Sequence, residues 1–111
     1  MPTQLSFDVV AVAGDLRLVA AGEIDLSNIG AFRQALADVT AEATRSGAPL
    51  TVDLAGVGYL DSAAINVLYA AADDIAAIVA PPLLMTTLRV SGLAEIVTVD
   101  MASAEPAGPA S

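Results

Sequence analysis

Few residues in this chain of 111 are equipped for chemistry, and most of those are carboxylates. Thirteen Asp and Glu stand against four Arg, and there is no Lys, His or Cys. That excludes thiol redox chemistry, Cys/His zinc sites and histidine-based triads. No phosphate-cradling glycine loop with a following Lys-Ser/Thr occurs, and no Gly-x-Ser-x-Gly nucleophile motif. Asp25, Asp53 and Asp61 fall at or just after strand-like segments, where open α/β sheets place ligands. A cluster of them would suit Mg²⁺, but the spacing matches no metal loop, and Asp25 and Asp61 equally suit turn and cap roles. No base, nucleophile and oxyanion set can be assembled. The chain therefore reads as non-enzymatic, with no catalytic residue, metal or cofactor.

One pair remains, Asp61-Ser62, which follows a two-glycine segment and precedes a helical pattern. Its local reading is a helix cap that accepts backbone N–H bonds. Its functional reading is a phosphorylation site. A helix N-terminus offers free N–H groups and the positive dipole end to an anion. Phosphate on Ser62 would also add up to about two negative charges and repel a partner docked there. The two residues alone leave both readings open.

The surroundings narrow the class of partner. A formal charge of −9 disfavours phosphate backbones and anionic membrane surfaces. It would steer in a partner with a basic face. The absence of Cys fits a cytoplasmic location, and no signal-peptide pattern is visible. The longest apolar stretch, residues 76–85, is broken by Pro81-Pro82 and is too short for a bilayer.

The elements that must position the pair can be read from periodicity. Leu5, Phe7, Val9 and Ala11 alternate with the residues between them, predicting a strand. A turn at Gly14-Asp15 and a second alternating strand from Leu16 make an antiparallel hairpin. Ser27 is the expected cap of an amphipathic helix with Ile29, Phe32, Leu36, Val39 and Ala43 on its buried face, stopped by Gly47. Residues 50–54 read as a buried strand and 55–60 as a loop. The next helix starts at Ala63, with Ile65, Leu68, Tyr69 and Ala72 on one face. Local propensity would carry it to Ala80. A continuous helix would leave the third crossover without a strand, so a short helix and a strand at 74–79 are expected. Pro82 opens another helix bearing Leu84 and Leu88, Gly92 stops it, and Ile96 to Val99 form an extended piece. The sum is one α/β domain over 1–100 with a disordered tail at 101–111. It has a mixed sheet, an N-terminal hairpin and about three helices mainly on one face. Exposed edge strands allow weak homodimers.

Four pieces together resemble the anti-sigma factor antagonists, small single-domain members of the STAS family. They are Gly22-Glu23-Ile24-Asp25 with Leu26-Ser27-Asn28 and its helix, and the strand 50–54 with its glycines. Tyr59-Leu60-Asp61-Ser62 and Leu88-Arg89-Val90-Ser91-Gly92-Leu93 with its apolar follow-on complete the set. The resemblance implies that Ser62 is the phosphorylated serine, that Asp61 is the acidic residue before it and that Asp25 is the acidic residue after the second strand. It implies a partner surface of Asp25, Ser27, Asp61, Ser62, Ala63 and Ala64. It implies binding to an anti-sigma factor of the Ser/Thr-kinase type, release of the sigma factor, and resetting by a phosphatase. The alternative is an unphosphorylated interaction or ligand-sensing module in which Ser62 is only a cap. Ala63 stands where the family has a second Ser/Thr, Ala64 where it has Gly, and the segment from Ser62 to Val79 is shorter than usual.

Overall fold

In the computed structural model, which describes residues 5–102, the first alternating segment forms β1 (Ser6–Val12) and pairs antiparallel with β2 (Asp15–Ile24). The two strands are joined by Ala13 and Gly14, with φ of 51° and 89°. Positive φ at both positions gives the turn a twist that matches the strands it joins. The turn lies one residue earlier than expected, because Asp15 already pairs with Val12. One face of β1 and β2 meets the helices: Leu18 and Ala20 are buried, and Phe7 stacks on Phe32 at 6.2 Å between ring centroids.

Helix α1 (Ile29–Ser46) buries the five residues its periodicity named, Ile29, Phe32, Leu36, Val39 and Ala43. Gly47 ends it in the left-handed conformation, and its N–H and that of Ala48 donate to carbonyls of the last turn. The chain then enters β3 (Leu50–Leu60), which lies parallel to β2. Residues 55–60, expected as a loop, are the second half of this strand. The pairing survives by slipping register twice, between Val19 and Ala21 and between Gly22 and Glu23. The slips hide this half of the strand from the sequence pattern. Buried positions run Leu50, Val52, Leu54 and then Val57, Leu60, so strict alternation is lost after Leu54. Gly56 serves the close approach: a Cβ there would stand 3.1 Å from the Ala21 Cβ.

Helix α2 (Ser62–Ala70) is short, and a 3-10 turn at Ala72–Asp74 leads to β4 (Ala77–Ala80), parallel to β3. The short helix and fourth strand expected here are present, the strand beginning at Ala77. Tyr69 is exposed, whereas Ala64 and Val67 join Ile65 and Leu68 in the core. Helix α3 (Pro82–Val90) packs through Leu84 and Leu88. Gly92, with φ of 85°, turns the chain into a further short helix, α4 (Leu93–Ile96). The extended piece begins only after it, as β5 (Thr98–Met101), parallel to β4. Among the described residues the short α4 thus joins the about three helices the sequence predicts. Met101 belongs to the sheet, and residues 103–111 of the expected tail lie outside the described residues.

The five strands lie in chain order, β1 to β5, antiparallel only at the first pair. Leu18, Val52 and Ile78 line up across the helix-covered face and are wholly buried. The opposite face is only half-buried. It carries the Arg17–Asp53 ion pair at 3.0 Å. No described helix is long and apolar enough to cross a membrane.

Candidate functional site

Parallel pairing decides where the site must be. Ile24 at the end of β2 is in register with Leu60 at the end of β3. The loop into α1 and the mouth of α2 therefore leave the sheet side by side. The Asp61 N–H donates to the Ile24 carbonyl at 3.2 Å and carries the pairing one residue further.

Asp61 holds this corner together. Its backbone is extended, and Oδ1 accepts from the N–H groups of Ala63 and Ala64 at 2.9 and 3.1 Å. That satisfies two of the donors a helix N-terminus leaves unpaired. Oδ2 faces the other way and accepts from the Leu26 N–H at 2.9 Å. One carboxylate thus caps α2 and ties down a loop 35 residues away in sequence.

The α1 side is built differently. Asn28, not Ser27, occupies the cap position, and no side chain accepts from the helix amides there. Ser27 was expected to cap; instead its N–H and Oγ both donate to Asp25 Oδ1. An ionised carboxylate two residues away is a stronger acceptor site than a hydroxyl is a cap. Asn28 turns back toward β2: Oδ1 accepts from the Asp25 N–H at 2.9 Å, and Nδ2 donates to the Glu23 carbonyl at 2.8 Å. The loop is therefore pinned at its base by Asn28 and at its middle by Asp61.

Ser62 is exposed as the first residue of α2. It is not the cap, a role Asp61 fills. Ala63 is half-buried, while Ala64 is 0% exposed, so its methyl packs in the core and presents nothing to a partner. Of the N–H groups at this helix mouth, those of Ala63 and Ala64 are not free for a phosphate on Ser62, because they already bond Asp61. Asp53 stands apart on the open sheet face, bonded to Arg17 and to the Ala55 N–H. Among the described residues no group of three acidic side chains could hold a metal ion.

Two features escaped the sequence. Leu26 is 75% exposed at the tip of the pinned loop, an apolar side chain offered to solvent beside Asp25. An open groove of about 470 Å³ runs between α2 and α3 next to Ser62, floored by Leu60 and Ile65 and rimmed by Asn66, Thr87 and Val90. Leu26 stood in the sequence as a large apolar residue between turn-forming neighbours, which is the one hint of it.

The comparisons with known proteins bear on this arrangement. A search of curated proteins returned no match. Among solved structures, the chain is similar to an anti-sigma factor antagonist from Mycobacterium paratuberculosis, with a TM-score of 0.77 and 24% identity over 87% of this chain and 86% of that one. It is also similar to the anti-sigma factor antagonist SpoIIAA in its unphosphorylated form, with a TM-score of 0.66 and 14% identity over 89% and 90% of the two chains. A protein of the DUF3478 family from Shewanella loihica, with a SpoIIAA-like fold, gives a TM-score of 0.57 at 8% identity over 93% and 88%. At these identities the likeness is one of fold. A family model described as Mlab, STAS domain, matches residues 7–98, nearly all of the described chain, and the chain belongs to the STAS domain family.

Proposed function

We propose that this STAS domain is an anti-sigma factor antagonist of the cytoplasm. It binds an anti-sigma factor of the Ser/Thr-kinase type through the corner formed by the β2–α1 loop and the mouth of α2. Modification of Ser62 is its off-switch and a phosphatase resets it. The observation that carries this reading is an exposed serine on the first turn of a helix, beside a carboxylate-pinned loop that presents Leu26. Family membership and the names of two structural neighbours support the same role.

The mechanism is electrostatic. Asp61 occupies the amides of Ala63 and Ala64, so a phosphate on Ser62 does not gain them without displacing that carboxylate. The phosphate instead adds its charge next to Asp61, on a chain whose formal charge is already −9. A partner surface fitted to a neutral hydroxyl then meets a hydrated dianion. The occupied cap also favours one competing reading, a constitutive interaction module in which Ser62 is never modified.

The test is a binding titration against candidate anti-sigma kinases, with mass spectrometry of the chain after incubation with kinase and ATP. Ser62→Ala should retain affinity, and Ser62→Asp should lose about tenfold or more, equivalent to about 1.4 kcal/mol. Phosphate should appear on Ser62 alone. Equal affinity of both variants, with no phosphate on Ser62, would replace the switch by the constitutive module.

A further inference from the structure

The two edges of the sheet differ in how they are protected. β5 has four residues and carries Asp100. β1 has seven, Ser6 to Val12, with a single charge at Asp8 and no Lys, Pro or bulge. Short length, charge and proline are the usual devices against edge-to-edge pairing, and β1 lacks nearly all of them. Its helix-side face is also left bare. Phe7 reaches Phe32, but Val9 is 57% exposed and Ala11 is exposed, although their cross-strand partners Leu18 and Leu16 are buried and half-buried.

The hairpin fixes which backbone groups of β1 point outward. A two-residue turn is closed by a hydrogen-bonded pair, here Val12 with Asp15, and such pairs alternate along an antiparallel ladder. Val10 with Arg17 and Asp8 with Val19 are therefore bonded, and the N–H and C=O of Phe7, Val9 and Ala11 face away from β2. The far side of β2 agrees, since the Leu16 N–H donates to Pro49 across the other edge.

We infer that β1 is a homodimerisation edge, on which a second copy of this chain pairs antiparallel about a two-fold axis at Val9. In that register Val9 faces its own copy and Phe7 faces Ala11. The outward backbone groups of all three residues meet as hydrogen-bonded pairs. On the helix side, Phe7, Val9 and Ala11 of both copies form one apolar stripe that covers the bare face. On the other side Asp8 falls opposite Val10, so the two Asp8 carboxylates are not directly opposed. Seven residues span only about 24 Å at about 3.4 Å each, so the buried area is below that of a stable obligate dimer and the association is weak. Both copies carry the same net charge, so salt strengthens it by screening.

Sedimentation equilibrium of the full chain across concentration tests this, at low and high salt. The expected result is a monomer–dimer equilibrium whose dissociation constant falls as salt rises. Val9→Lys sets two lysines opposite one another and should weaken the dimer at least about tenfold. Val90→Lys, at an exposed site on α3, should leave it unchanged. In the unaltered chain, the amides of Phe7, Val9 and Ala11 should gain protection from hydrogen exchange as concentration rises. This readout does not depend on how the variants fold. A monomer at every concentration in high salt, a dimer indifferent to Val9→Lys, or concentration-independent exchange at those three amides would each overturn the proposal.

Discussion

The two helices that leave the candidate site begin in opposite ways. α2 is capped by a side chain, with Asp61 accepting from two helix amides, while α1 starts at Asn28 with no side-chain acceptor. At α1 the polar residues Asp25, Ser27 and Asn28 bond one another and β2, so the loop is shaped for itself rather than for the helix behind it. At α2 one residue serves helix and loop together. The site therefore depends unequally on its parts: a change at Asp61 disturbs both entrances, whereas a change at Asn28 disturbs only one.

That asymmetry can be measured by urea denaturation. Asp61→Ala should have the largest effect, about 2–3 kcal/mol, since it removes a cap worth about 0.5–2 kcal/mol and the bond to Leu26. Asn28→Ala should come next at about 1–2 kcal/mol, the value of two half-buried hydrogen bonds, with α2 unaffected. Asp61→Asn should be mildest, about 1 kcal/mol. Its amide oxygen still caps α2, but its NH₂ now meets the Leu26 N–H donor to donor. If Asn28→Ala cost more than Asp61→Ala, the α1 loop and not the shared carboxylate would be the keystone of the corner.

The sequence was most readable where one surface decides the pattern. α1 meets the core on one side only, so its five buried residues are those its spacing names. The short α2 and the strand after it were recovered from topology against local propensity. It was least readable where two elements adjust to each other. The second half of β3 looks like a glycine loop because the register slips and the contact at Gly56 exist only in the presence of β2. At the site, the place of Asp61 and Ser62 at a helix mouth was legible from neighbours in sequence. The choice between Ser27 and Asn28 was not, because it turns on the competing acceptor at Asp25. The bond from Leu26 to Asp61 spans 35 positions, and no local pattern encodes it.

That bond gives the molecule a built-in reporter. The Leu26 amide proton sits on the carboxylate next to Ser62, yet belongs to a loop that nothing done to Ser62 alters covalently. Its chemical shift in an NMR spectrum should move whenever the charge or position of Asp61 changes. A kinase or a phosphatase working on Ser62 can then be followed from a single backbone resonance of the neighbouring loop.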